Sequence, residues 1–397
     1  MINPKHLILA LALTSAGAPI LHADTFSDLV DQIVAGNPSI EAQRQRANAT
    51  IEGMKADNIL ADPEVEFERL WRHGEGENRW SAGVRQSFEW PGAYNARRKA
   101  IAATSQAQAA QLESDIIACR TQAAQLLIEL AAANKEISTL ADIHSAMETL
   151  QEKYLLAWEH GETTIIDVNK IKIETIRSAT RLEEAEVARR AIEAELYALA
   201  GKDSKNLSLS NELDFPYLTL HSLDEYTTAA QTSPRMQALT LMAEAAEKQN
   251  SVTKASRWPG FTLGYHHAFE DGAHFNGLSL GMSLPIYSRK NRVKSAESEA
   301  MAARFDIVSQ RIQLETQIQS DYITAESLHK QIEAYAPIVD GVNNLQLLRK
   351  ALDGGELSLL SYLQEVNYFI EARLDYITLS KEYALLLTQL NSNLAAK

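Results

Sequence analysis

One cysteine, Cys119, occurs in 397 residues, so no disulfide can close within the chain. Basic side chains are too few to balance acidic ones, 38 against 52, and the formal charge is −14. That deficit argues against a nucleic-acid partner and against a polybasic membrane anchor, and it suits cationic solutes. Past the N-terminus no stretch offers about 20 consecutive apolar residues, so no helical membrane span is expected. No nucleophile, base and orienting group converge at a recognisable spacing, so no catalytic residue, cofactor or enzyme activity is expected. The first residues differ. Lys5 and His6, an apolar run from Leu7 to Ala18 and then Leu21-His22-Ala23 read as an export signal over 1–23, with the mature chain beginning at Asp24. Losing Lys5 with the signal moves the charge to about −15. No cysteine follows the signal, which excludes a lipoprotein anchor.

The chain also repeats itself. "GNPSIEAQ" has Pro38 where "TSPRMQAL" has Pro234, and "LADPEVEFE" has Pro63 where "SRWPGFTLG" has Pro259, both about 196 residues apart. "WEHGETTIIDV" then has Gly161-Glu162 where "LDGGELSLLSY" has Gly355-Glu356, about 194 apart. Two repeats are expected, 24–205 and 206–397, joined through a polar stretch around "GKDSKNLSLSNELDFPYLTLHS". Each has one plan: a lead-in helix (Thr25 to Ala61; Leu223 to Arg257), two short alternating segments, a very long helix, a Gly-Glu turn and a final helix.

In the first long helix Leu112, Ile116, Cys119, Ala123, Leu126, Leu130, Ala133, Ile137 and Leu140 recur in steps of four and three, a heptad seam. The steps slip at Ile143 and resume through Met147, Leu150 and Tyr154. A helix from Asn95 to Glu159 would be about 95 Å long. The second half repeats the pattern from Arg292 to Leu352 through Leu314, Ile318, Ala325, Leu328, Ile332, Tyr335, Val339 and Val342, with Pro337 set to kink or interrupt it. Helices alone would also fit a soluble periplasmic coiled-coil scaffold.

The alternating segments favour a membrane instead. "WSAGVRQSF" puts Trp80, Ala82, Val84 and Phe88 on one face; "FTLGYHHAF" does the same with Phe261, Leu263, Tyr265 and Phe269, and "LSLGMSLPIY" with Leu278, Leu280, Met282, Leu284 and Ile286. Opposite lie small or polar residues, as lipid-facing barrel strands require. "EVEFERLW" fits less well, because Arg69 shares a face with Val65 and Phe67. Four strands cannot close a barrel, and lipid does not tolerate open edges. Three copies would supply twelve strands, with the long helices continuing the barrel as a tube. The expected fold is thus an α+β membrane protein: a trimeric 12-stranded β-barrel, four strands per protomer, continued by an α-helical barrel.

Duplicated halves, two strands per half, "SFEWPGAYNARRKA" and "SLPIYSRKNRVKSAE" leaving the hairpins, and a Gly-Glu turn in each half together resemble the outer-membrane efflux protein family, the TolC-like exit ducts of tripartite exporters. "EWPG" before an Arg-rich helix start is most similar to the CzcC-like heavy-metal branch. The resemblance implies a homotrimer in the cell outer membrane that extends into the periplasm. Its partners would be a periplasmic adaptor and an inner-membrane transporter of the resistance-nodulation-division (RND) class. It implies export of heavy-metal cations, with drugs, other organic compounds or a type I secreted polypeptide as alternative cargoes. It places Gly161, Glu162, Gly355 and Glu356 at periplasmic tips where the adaptor docks. Asp167 matches the aspartate that follows the first turn in such ducts, where three copies would form a carboxylate ring at the aperture. Ser361 and Gln364 stand where a second set of aspartates is usual, so the ring is differently built, and Asp167 reads equally as a helix-start carboxylate.

Arg97, Arg98 and Lys99, and Arg289, Lys290 and Arg292, begin helices, where the macrodipole disfavours cations. They are candidates for contact with outer-membrane lipid headgroups, or a solvated charge run. No metal site is expected. His266 and His267 are adjacent in a strand and point to opposite faces, His266 to the lumen. With His274 and His73 they are read as decoration of the extracellular rim. His160-Gly161-Glu162 lacks the spacing of a zinc hydrolase.

Overall fold

A computed structural model describes residues 26–71, 73–74, 76, 78–285, 290–339 and 344–394. The export-signal region, Arg289, Ile286 and Val342 lie outside the described residues.

The lead-in of the first half is two helices, α1 (Phe26–Gly36) and α2 (Pro38–Ala56), and that of the second is α5 (Leu223–Gln231) and α6 (Pro234–Ala255). The expectation of one continuous helix in each half is therefore corrected. The repeated prolines are the reason: Pro38 and Pro234 sit in the first turn of the second helix, where the missing N–H costs nothing. Asn37 Oδ1 caps α2 by accepting from Ser39 N and Ile40 N, at 2.8 and 3.1 Å, and Ser233 caps α6. Asn37, only 7% exposed, also donates to Leu199 O at 2.9 Å. Gly201 (φ +57°) packs beneath this joint; a Cβ there would lie 2.6 Å from Pro38 Cδ.

Four strands form one antiparallel sheet in the order β1 (Glu64–Leu70), β2 (Arg79–Phe88), β3 (Gly260–Glu270) and β4 (Ala273–Ser283). β1 forms despite Arg69, and β4 stops before Leu284. Pairs such as Val65 with Val84, Val84 with Tyr265 and Tyr265 with Leu278 bring the two halves into a single surface.

The first long helix, α3 (Pro91–Glu159), runs unbroken for 69 residues, about 104 Å. It returns through α4 (Ile165–Ala200). The second is shorter: α7 (Lys290–Val339, 50 residues) carries Pro337 in its last turn, and α8 (Asn344–Asp353) precedes the return helix α9 (Leu359–Asn391). Pro337 is the position at which the sequence sets a kink or interruption of this helix. Pro337 offers no N–H to the carbonyl of Glu333 and its ring crowds that group.

Cys119, Ala123, Leu126, Leu130, Ala133, Leu140, Ile143, Met147 and Leu150 of the heptad seam are all buried. One 18-residue window of α3 reaches the mean hydropathy of a membrane span, but half of it is buried inside the protein. Around Leu126–Asn134 the helix is enclosed by its neighbours. There Leu127 and Leu130 pack with Leu29 and Ile33 of α1 and Leu196 of α4. The second half has a matching cluster of Tyr226, Ile318, Ala325, Leu387 and Leu390. A third core joins the halves: Ile143, Met147, Leu150 and Ile171 pack with Leu359, Tyr362, Leu363 and Val366.

Candidate functional site

The sheet has two chemically opposed faces. On one lie Val65, Phe67, Val84, Leu263, Tyr265, Leu278, Leu280 and Met282, all exposed, with Leu280 at 83% and Val65 at 80%. Apolar side chains in that number facing water have no benefit in a soluble sheet, and their burial would release about 1.5 to 3 kcal/mol each. Aromatic rings bound this band. Trp90, stacked on Trp258 at 5.2 Å and tilted against Phe261, marks the end near the helices. Trp80, between Phe67 and Phe269 at 6.5 and 6.3 Å, marks the other end. Trp90-Pro91-Gly92 opens α3 and Trp258-Pro259-Gly260 opens β3, so one tripeptide used twice builds the ring stack.

The other face is concave and lined with small or charged groups. A Cβ added at Gly264 would lie 2.5 Å from Ser279 Oγ, and one at Gly277 2.5 Å from His266 Cε1. Side chains converge on the inside of a curled sheet, and glycine is what fits. A hollow of about 400 Å³ here is lined by residues including Glu66, Glu68, Arg79, Arg85, His266 and Glu270. Arg85 pairs with Glu66, and Arg79 with Glu270 at 3.6 Å. Glu64 and Glu68, on the same face of β1, have no ion-pair partner among the described residues, so this face is acidic. The alternation of Glu64, Glu66 and Glu68 was a signal in the sequence, obscured by Arg69 on the other face. β1 and β4 each leave one edge unpaired in the single chain.

At the far end of the helices both turns use the same device. Gly161 (φ +77°) and Gly355 (φ +74°) adopt the left-handed conformation. Gly161 N donates to Trp158 O and Glu162 N to Ala157 O; Gly355 N donates to Leu352 O and Glu356 N to Ala351 O. Each is a Schellman cap, which closes orphan carbonyls with a residue that has no Cβ penalty. Three residues on, Thr164 and Ser358 cap the return helices.

Asp167 is the third residue of α4. Its carboxylate accepts from Thr164 Oγ1 at 2.8 Å and from Lys170 Nζ at 3.1 Å. The Thr164 bond first, and Lys170 second, hold it below its ordinary value of 3.8. Ser361 occupies the matching position in α9 and bonds Ser358. Across the tip Lys153 Nζ reaches both carboxylate oxygens of Asp353 at 3.2 Å, tying α3 to α8.

The basic candidates separate. Arg97 pairs with Glu89 and lies over the Tyr94 ring at 5.7 Å. Arg98, Lys290 and Arg292 are exposed at the helix starts, and Arg289 lies outside the described residues. Among the described residues no group of three or more His, Cys, Asp or Glu side chains could hold a metal ion.

Comparison with family models and with curated proteins returns no match. Solved structures do match, along almost the whole chain. The fold, a four-stranded sheet continued by long helical hairpins, is that of outer-membrane channel protomers. The CmeC outer membrane channel of Campylobacter jejuni superposes with a TM-score of 0.78 over 99% of this chain and 94% of its own, at 14% identity. The outer membrane protein VceC of Vibrio cholerae gives 0.73 over 93% and 95%, at 16% identity. CusC, whose structures describe transmembrane channel formation, gives 0.67 over 96% and 95%, at 15% identity.

Proposed function

We propose that this chain is the outer-membrane channel of a tripartite efflux system, working as a homotrimer and exporting heavy-metal cations. In this reading the repeats 24–205 and 206–397 each contribute two strands to a 12-stranded barrel, and the helical hairpins form the periplasmic tube. The observation that carries it is the sheet: an exposed apolar face bounded by aromatics, an acidic concave face, and two open edges. Closing those edges between three chains satisfies their backbone groups, leaves Arg69 as the one charged side chain on the apolar face of the strands, and encloses the carboxylates in a lumen.

The tips at Gly161-Glu162 and Gly355-Glu356 would meet a periplasmic adaptor beneath which an RND pump supplies energy. Asp167 would contribute a carboxylate to the periplasmic aperture. Arg98, Lys290 and Arg292 would meet headgroup phosphates, while Arg97 braces the joint through Glu89. Metal cations are favoured as cargo by the excess of carboxylates on the concave face and by the "EWPG" joint; carboxylate-lined walls raise the local concentration of a positively charged solute.

The protein should need detergent for extraction and run at about three times the chain mass; a water-soluble monomer would contradict the channel. A deletion strain should lose tolerance to at least one of zinc, cobalt, cadmium, nickel, copper and silver. Sensitivity confined to detergents and dyes would assign the duct to organic compounds.

A further inference from the structure

Sequence spacing sets His266 against His267, which cannot share a ligand. The folded hairpin makes a different pair. His267 of β3 and His274 of β4 lie diagonally across the strand pair on the convex face, rings stacked at 5.3 Å, with His267 Nε2 3.2 Å from His274 Nδ1. Asn276 Oδ1 lies 2.8 Å from His267 Nδ1 and also accepts from the Tyr265 hydroxyl at 2.8 Å. An oxygen acceptor there keeps the proton of neutral His267 on Nδ1 and leaves the Nε2 lone pair facing His274. This is the arrangement by which outer groups orient metal-ligating histidines. Trp80 at 5.3 Å and Phe269, 5.0 Å from His274, wall the pair on the strand side.

We propose that His267 and His274 form a chelating site for a divalent transition-metal cation, of the copper, nickel or zinc class, on the outer rim of the sheet. Two nitrogens 3.2 Å apart, each about 2.1 Å from a metal, subtend roughly 100° at it, between octahedral and tetrahedral values. Imidazole suits these ions, and water completes the shell. Binding needs His274 to move its proton from Nδ1 to Nε2 through solvent, with no net proton released. His266 is on the opposite face of β3, so the site stands outside the lumen. Both ligands come from one chain, so the proposal does not rest on the transport reading.

The test is Cu²⁺ titration of tag-free, detergent-solubilised full-length protein, followed by electron paramagnetic resonance. One Cu²⁺ per chain with two-nitrogen coordination is expected. His274→Ala and His267→Ala should each weaken binding at least 10-fold and leave one-nitrogen or adventitious signals, while His266→Ala keeps wild-type affinity and spectrum. Asn276→Leu should keep two-nitrogen coordination but bind roughly 10-fold more weakly, because the tautomer is no longer fixed. His274 and Asn276 are exposed and His267 is half-buried; circular dichroism with the assembly state checks that each variant folds. Wild-type affinity in His274→Ala, or equal loss in His266→Ala, would overturn the site. A chain that binds copper this way but confers no metal tolerance keeps this site and loses the export reading; the converse result separates them the other way.

Discussion

The two halves of the chain keep the same joints and differ in what lies between them. Both break the lead-in helix at a capped proline, both turn at a left-handed glycine, and both restart on a Thr or Ser cap. What differs is continuity and charge. The first half has one 69-residue helix, a carboxylate at the tip and a Trp-Pro-Gly exit from its hairpin; the second has a helix ending just past Pro337, a serine at the tip and no such exit. Joints are stereochemical and admit few residues. Spans between them need only an apolar seam, so they are free to diverge.

The largest way to break the comparison is at Gly201. The first half needs this residue because α4 ends against the Asn37-Pro38 joint; α9 ends at Ser392 with ordinary helical φ −58°. Gly201→Val would place a branched Cβ against Pro38 in a conformation that disfavours side chains. A loss of about 3 to 5 kcal/mol is expected, combining backbone strain and overpacking. Hydrogen exchange in α1 and the start of α2 should rise, with α5 and α6 unaffected.

Next comes Pro337→Ala, which makes the second long helix more like the first. An interior proline costs a helix about 3 kcal/mol. Its removal should slow amide exchange at residues 333–339 and leave the same measurement on α3 unchanged. A smaller contrast follows at the caps. Asn37→Ala loses two cap bonds and the bond to Leu199 O, whereas Ser233→Ala loses one cap bond, to Met236 N. Costs of about 2 and 1 kcal/mol respectively are expected from thermal unfolding.

Much of this was legible in the sequence, and the limits have physical causes. The heptad seam and the strand faces could be read because they are periodic, and the paired prolines and Gly-Glu turns because they recur at nearly the same offset. Both broken lead-in helices were missed although Pro38 and Pro234 were the very residues that revealed the repeat: apolar periodicity continues across a proline placed at a helix start. Arg69 hid the acidic concave face of β1, because one charged residue on the apolar side outweighed three glutamates on the other. The His267–His274 pair depends on the register across the Asp271-Gly272 turn, which adjacency along the chain cannot supply. Asp167 had two readings, and its bonds to Thr164 and Lys170 make the helix-start role visible in a single chain while leaving its carboxylate charged.

That last point gives the finest comparison of the halves, Asp167 against Ser361. Asp167→Ser would give both tips the same polar cap. Stability should fall by only about 0.5 to 1 kcal/mol, since Ser at this position still bonds the cap while losing the charge at the helix N-terminus. Because the folded carboxyl is held below 3.8, its contribution is present above that value and fades as pH falls through the lower folded pKa. Stability of wild type and variant should therefore differ at neutral pH and converge in strong acid. Single-channel recording separates the second role. If three copies of Asp167 also line the aperture, cation preference should drop in Asp167→Ser and rise in Ser361→Asp, which adds the carboxylate the second half lacks. Unchanged selectivity in both would leave Asp167 as a cap alone.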